Sequence, residues 1–108
     1  MRRGDIVVVS APGDTGKPRP AVVVQSDWLD GADSVLVALM TSARVDAPFY
    51  RLLIEPDATN GLAASSQVMV DKIVALPRAK CGRVVGRIGE ASLIALSHML
   101  SVMIGLVD

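Results

Sequence analysis

Short apolar blocks alternate with polar stretches rich in Gly, Pro, Asn and Asp along most of this chain. The first block, Ile6 to Ser10, opens with four consecutive β-branched residues and predicts a strand. Pro12, Gly13, Asp14 and Gly16 mark a loop over Ala11 to Gly16. Ala21 to Ser26 is almost continuously apolar at its start, which predicts a second strand buried on both faces. Asp27 to Asp33 is polar, contains Gly31, and reads as a loop or one helical turn. A third buried strand spans Ser34 to Met40 and closes at Thr41-Ser42. After a loop over Ala43 to Pro48, Phe49 to Ile54 is expected as a fourth strand. Glu55 to Ala64 carries Pro56, Asp57, Asn60 and Gly61, a loop signature. Ser66 to Val70 and Ile73 to Leu76 make a fifth strand, with a break expected near Asp71-Lys72. Pro77 to Gly82 turns, and Arg83 to Ile88 is the sixth strand.

From about Glu90 to Leu106 the apolar spacing becomes helical. Leu93, Leu96, Leu100, Met103, Ile104 and Val107 fall on one face, which should pack on the sheet. Glu90 suits the positive end of a helix, and Gly105 sits where a C-terminal cap is common. The opposite side holds Ile94, Met99 and Val102 among Ser97, His98 and Ser101. No permanent charge occurs between Ala91 and Val107, whereas a surface helix normally carries several. So small a domain has no second layer to cover that side. The expectation is contact with another chain, most simply a second copy in a homodimer; a covering loop is the alternative.

Six short strands and one terminal helix make the class mainly β with minor α: a small, strongly curved barrel or half-barrel with helical cover. At 108 residues the chain is one domain. Hydrophobic residues make up 51% but aromatics only 3%, so Val, Leu, Ile, Ala and Met must build the core. Trp28, Phe49 and Tyr50 are the only aromatic residues, open to a role as stacking platforms or as packing. Eleven basic residues balance eleven acidic ones, so nucleic-acid binding would need a local patch. The single cysteine, Cys81, excludes an intramolecular disulfide and fits a reducing compartment. No apolar run reaches the roughly 18 residues of a membrane span. The N-terminal residues lack a signal-peptide pattern, and the expected location is the cytoplasm.

Candidate chemistry is narrowed first by what the sequence lacks. There is no CxxC, no HExxH and no clustered His, Cys and Asp, so no metal site is expected. The glycines near 13–16 and 82–89 lack a phosphate-loop context, so no cofactor is expected either. His98 reads as structural or interfacial and Cys81 as an incidental thiol; Asp27, Asp30 and Asp33 look like solvating charges. What remains is cationic and hydroxyl chemistry. In Gly16-Lys17-Pro18-Arg19-Pro20, each proline holds the residue before it extended. Arg19 therefore has little backbone freedom left to lose on binding; a surface arginine in a Pro-rich turn is the plainer alternative. Lys72, Arg78, Lys80, Arg83 and Arg87 follow one another with no acidic residue between them. Arg83 and Arg87 share strand parity, which places them on one face. With Lys17 and Arg19 they form a candidate phosphate groove, or else a solvated edge strand guarded against pairing.

The order of several short motifs resembles the MazF/PemK family of toxins, the endoribonuclease half of type II toxin–antitoxin pairs. Those motifs are Arg3-Gly4-Asp5-Ile6-Val7, Arg19-Pro20-Ala21-Val22-Val23-Val24-Gln25-Ser26-Asp27 and Val37-Ala38-Leu39-Met40-Thr41-Ser42. Asn60-Gly61-Leu62, Ser66-Gln67-Val68, Asp71-Lys72-Ile73 and Gly86-Arg87-Ile88-Gly89 continue the set. The resemblance covers nearly the whole chain, as a single toxin domain over residues 1–108. It implies an SH3-like barrel of the plasmid-maintenance-toxin (CcdB/MazF) type with a C-terminal helix, a homodimer, and a cognate antitoxin of MazE/PemI type. It also implies metal-independent cleavage of single-stranded RNA by 2′-OH attack, inhibiting translation and growth. The catalytic arginine of the family falls on Arg19, and its catalytic threonine or serine on Thr41, with Ser42 adjacent. Lys17, Ser42, Ser66, Lys72, Arg83 and Arg87 are the expected RNA-binding residues. Two departures, a short Ala11–Lys17 loop and Lys72 where many members have glutamine, keep the cleavage sequence from being carried over. A CcdB-like topoisomerase poison and an inactive SH3-like interaction module are the alternatives. The absence of a C-terminal tryptophan and the presence of Arg19 and Thr41 speak against the first.

Overall fold

The computed structural model describes residues 1–10 and 17–107; the loop expected over Ala11 to Gly16 lies outside the described residues. Among the described residues there are six strands: β1 (Asp5–Val9), β2 (Arg19–Val23), β3 (Ser34–Thr41), β4 (Arg51–Ile54), β5 (Ser66–Pro77) and β6 (Cys81–Arg87). They form one antiparallel sheet in the order β4-β5-β3-β2-β1-β6. Single 3-10 turns at Asp27–Leu29 and Arg78–Lys80 punctuate it, and α1 (Glu90–Met103) closes the chain.

The continuous apolar runs are explained by two cores, one on each face of the sheet. Ile6, Val22, Ala38, Met40, Val68 and Val70 pack on one face with Ile88 and with Leu96 of α1. Their neighbours in sequence, Val7, Ala21, Val23, Val37, Leu39 and Met69, pack on the other with Val9, Val35 and Leu76. Successive side chains of a strand point to opposite faces, so a strand covered on both sides needs apolar residues at every position.

The break expected near Asp71-Lys72 is instead a bend within one continuous strand. Met40 pairs with Val68, but Ala38 pairs with Ile73, so two steps along β3 match five along β5. Within the excess, Met69 pairs with Arg51 of β4 and the Val70 N–H donates to Tyr50 O at 2.9 Å. Arg51 Nε then lies 3.3 Å from Asp71 Oδ1. The fourth strand starts later than expected. Both the Tyr50 and the Arg51 N–H reach back to Ala47 O, at 3.1 and 2.9 Å, so Phe49 and Tyr50 sit in a turn.

In α1 the inward face consists of buried Leu96 with Leu93, Met99 and Leu100 around it. Met99, expected outside, packs inward. Met103, Ile104 and Val107, expected to pack on the sheet, are exposed. For Ile104 and Val107 the cause is the early end of the helix: Gly105 takes φ +78°, and the Leu106 N–H donates to Ser101 O at 2.8 Å. Ser97 and Ser101 donate their hydroxyls to the carbonyls of Leu93 and Ser97, at 2.8 and 3.0 Å, which satisfies them within the helix. Ile94, Val102, Met103, Ile104, Leu106 and Val107 remain as exposed apolar surface.

Candidate functional site

The site begins with the two prolines. Pro20 has no N–H, and although β1 pairs with β2 as far as Val9 and Arg19, pairing between β2 and β3 starts only at Ala21 opposite Leu39. Carrying that register two residues further sets Arg19 across from Thr41, beyond the last paired rung. Thr41 in turn pairs with Gln67 on β5. Arg19, the first residue of β2, and Thr41, the last of β3, are both half-buried. A cleft of about 320 Å³ opens where the ladder is missing. Arg19, Thr41, Ser42 and Ser66 supply its polar groups; Pro18, Pro20, Met40, Leu62, Ala63 and Ala64 supply its apolar lining.

The hydroxyls are set for different tasks. Thr41 Oγ1 accepts from the Ala43 N–H at 3.1 Å, which leaves its own proton to donate elsewhere. Ser66 Oγ spends its proton on Ala64 O at 3.0 Å and is left as an acceptor. The pair thus offers a donor and an acceptor to the cleft.

Two polar side chains whose roles the sequence left unread hold the cleft walls. Asn60 is fully buried. Its Oδ1 accepts from the N–H groups of Asp57 and Leu62, at 3.2 and 3.0 Å, and its Nδ2 donates to Glu55 O at 2.8 Å. Asp57 caps the same turn by accepting from the N–H groups of Thr59 and Asn60 and from the Thr59 hydroxyl. Those bonds, led by the Thr59 N–H, hold its carboxyl below the usual range. Nearby, the Ser65 hydroxyl donates to Glu55 Oε2. On the other wall, Gln67 accepts from the Val45 N–H at 3.1 Å and donates to Val45 O at 2.9 Å. Asn60-Gly61 and Ser66-Gln67 stand in the sequence as motifs, but nothing local shows that their amides turn inward.

The remaining expected residues lie outside the cleft lining. Lys17 is exposed, one residue before Pro18. Lys72 is exposed at the bend of β5, and Arg83 is exposed on β6. Strand parity does not decide whether Arg83 and Arg87 share a face, because β6 is irregular against β1 in two places. Ile6 pairs with Gly86 but Val7 with Val84, and Val9 pairs with Cys81, so β6 carries one extra residue in each interval. Arg87 is engaged structurally: Nη1 donates to Asp5 Oδ1 at 2.8 Å and Nη2 to Arg3 O at 3.1 Å. This ties the start of β1 to the end of β6, four residues along β1 from the Val9–Arg19 rung.

Cys81 also pairs with Val9, on the far side of β1 from Arg19. Burial raises its thiol pKa, only partly offset by the charge of Arg78, as suits an unreactive thiol. Trp28 and Phe49 are 96% and 84% exposed, so neither packs in the core, and neither lines the cleft. Asp27, Asp30 and Asp33 are exposed, with Asp27 accepting from the Arg3 N–H at 2.7 Å. Among the described residues, no three His, Cys, Asp or Glu side chains gather where they would hold a metal ion. No helix among them is long and apolar enough to cross a membrane.

Comparison with known proteins agrees with this architecture. A relative from Mycolicibacterium smegmatis, named "Probable endoribonuclease MazF", is 40% identical over 107 residues, covering 98% of both chains. Among solved structures, an endoribonuclease in complex with its cognate antitoxin from a mycobacterial species superposes with a TM-score of 0.81 at 17% identity. That match covers 100% of this chain and 98% of the other. The Mycobacterium tuberculosis toxin MazF-mt6 gives a TM-score of 0.81 at 21% identity, covering 96% and 99%. A MazE-MazF structure from Deinococcus radiodurans gives 0.77 at 19%, covering 97% and 96%. At such identities these structures speak for the fold. Residues 2–104 match the family described as PemK-like, MazF-like toxin of type II toxin-antitoxin system. With the family match and the 40% identical relative in agreement, this chain belongs to the PemK-like, MazF-like toxins of type II toxin–antitoxin systems, a family of endoribonucleases.

Proposed function

We propose that this member of the family cuts single-stranded RNA at the cleft between Arg19 and Thr41, using the substrate's own 2′-hydroxyl as nucleophile. The 2′-oxygen bonds to phosphorus, the bond to the 5′-oxygen breaks, and the products carry a 2′,3′-cyclic phosphate and a 5′-hydroxyl. The observation that carries this reading is the meeting of Arg19 and Thr41 at an unpaired gap in the ladder. A guanidinium presents a fixed fork of donors to the charge that builds on the phosphorane oxygens, with no reorganisation during reaction. Its work is electrostatic rather than that of a base. The free proton of Thr41 reaches a phosphate oxygen or orients the 2′-hydroxyl. Because the attacking group belongs to RNA, DNA is left uncut, and splayed bases rather than duplex are read. No metal ion enters the scheme. Ser42 and Ser66 assist at the cleft, and Lys17, Lys72 and Arg83 steer the strand from outside it.

The exposed apolar side of α1 is the surface offered to a second copy. The cationic side chains of Lys72, Lys80 and Arg83 suit an acidic, disordered antitoxin segment that would restrain the toxin in the cytoplasm. Digestion of long single-stranded RNA in EDTA, with mapping of the new ends, tests the central step. Cuts at a few short sequences, with cyclic phosphate and 5′-hydroxyl ends, are expected. Ends bearing a 5′-phosphate, or loss of cutting on chelation, would contradict it. The same preparation should sediment at twice the 11.3 kDa chain mass, and a clean monomer would remove the dimer.

A further inference from the structure

Arg19, Pro20, Met40, Thr41 and Ser66 line the cleft from strands, and the walls beyond them, Ser42 on one side and Leu62 to Ala64 on the other, belong to two loops. Residues 42–48 leave β3, and residues 55–65 join β4 to β5. Loops without secondary structure sample several conformations unless something ties them down. Here each is tied by one buried carboxamide. The backbone partners of Asn60 run from Glu55 to Leu62, so a single side chain links one end of its loop to the other. Its flanks are braced on β6: the Arg87 N–H donates to Thr59 O at 3.0 Å, and Gly61 packs directly on Val85 O. Leu62, the next residue, lines the cleft and packs on the helix-side core. Gln67 imitates a strand rung by bonding both backbone groups of Val45, while its own backbone pairs with Thr41. It therefore fastens residues 42–48 directly beside Thr41.

The distribution of buried polarity points the same way. Among the described residues four polar or charged side chains are buried: Asp5, Asn60, Ser66 and Gln67. Asp5 closes β1 onto β6, and the other three belong to the cleft or its walls. A buried amide is costly unless fully bonded, which makes these economical only where a loop needs one fixed shape. We infer that Asn60 and Gln67 are positioning residues, whose amides hold the two walls at the separation that the RNA strand requires. This rests on the RNA-cleaving reading of the cleft. Arg19 and Thr41 hang from strands and keep their places without the clamps. The walls contact the bound strand alike before and during reaction, so slackening them weakens binding more than chemistry.

The test uses the full chain and a fluorophore–quencher single-stranded RNA carrying a sequence mapped by digestion. Gln67→Ala and Asn60→Asp should raise KM about tenfold, the order set by one or two lost hydrogen bonds, while kcat changes by less than about threefold. Gln67→Glu keeps the acceptor for the Val45 N–H and should recover part of the loss. Amide hydrogen exchange should quicken at Val45 in Gln67→Ala and at Leu62 in Asn60→Asp, with Val22 and Val37 protected as in the wild type. Folded variants that keep the wild-type KM, even with a lowered melting temperature, would overturn the inference. If Asn60→Asp does not fold, the Gln67 variants decide. A wild type that cuts no RNA removes the functional reading and the positioning role together. The exchange rates would then report the clamps as loop structure only.

Discussion

Arg19→Ala is expected to lower kcat for RNA cleavage by about a hundred- to a thousandfold, the usual cost of deleting one preorganised donor to a developing oxyanion. KM should change far less, because the group acts on charge that appears only in the transition state. Arg19→Lys should recover little. An ammonium is a point charge on a flexible stem and cannot present two parallel donors to a phosphorane. The substitution lies at the first residue of β2, outside both core clusters, so the sheet should survive it. Stopped-flow cleavage of a short RNA, with circular dichroism on the same samples, measures both. An Arg19→Ala protein that cleaves within threefold of the wild type would move the chemistry away from this cleft.

The second large effect concerns stability. Gly86→Ala should destabilise the fold by about 3 kcal/mol or more, at the upper end of single substitutions. A Cβ on Gly86 would fall inside contact distance of the Asn60 carbonyl group and of Thr59 O. Those are backbone atoms of a turn whose only buried side chain is already fully engaged, so they cannot swing away as a flexible side chain would. Gly61 faces the same interface from the other side, with φ +69° and Val85 O against it. The melting temperature should fall by more than about 10 °C. Gly89→Ala is the control: a Cβ there meets nothing within 4 Å, and the change at a helix N-cap should cost about 1 kcal/mol or less. Equal melting temperatures for the two variants would show that the 59–61 turn does not press on β6 as described.

The six strands and the terminal helix were legible because their signals are local. The run Ile6–Val9 states the strand, and Ala21–Val24 states both the strand and its burial on two faces. The stiffened Arg19 was legible for the same reason, since each proline acts on its immediate neighbour. Features that depend on partners far along the chain were not. Bending rather than breaking at Asp71-Lys72 depends on how β5 shares its hydrogen bonds between β3 and β4. Parity along β6 cannot relate Arg83 to Arg87, because the strand carries two irregularities that show only in the register with β1. Arg87 looked like a free cation because its partner, Asp5, lies 82 residues earlier. Asn60 and Gln67 are ordinary polar residues in the sequence, and their partners across the loops give them their place. In α1, the periodic pattern overran the helix, which ends at Met103 before it reaches Ile104 and Val107.

The measurement that tests the account most directly is an NMR titration of the wild type with an uncleavable RNA. The ligand carries a single 2′-deoxy substitution at the cleaved position, which removes the nucleophile while keeping the phosphate and bases. Binding without cleavage is expected. The largest shifts should fall on the amides of Thr41, Ser42 and Leu62 to Ser66 and on the Arg19 side chain. Cleavage of that RNA at the substituted position, or shifts centred on Arg87 or α1 with the cleft unmoved, would contradict the assignment of the Arg19–Thr41 gap as the place where RNA is cut.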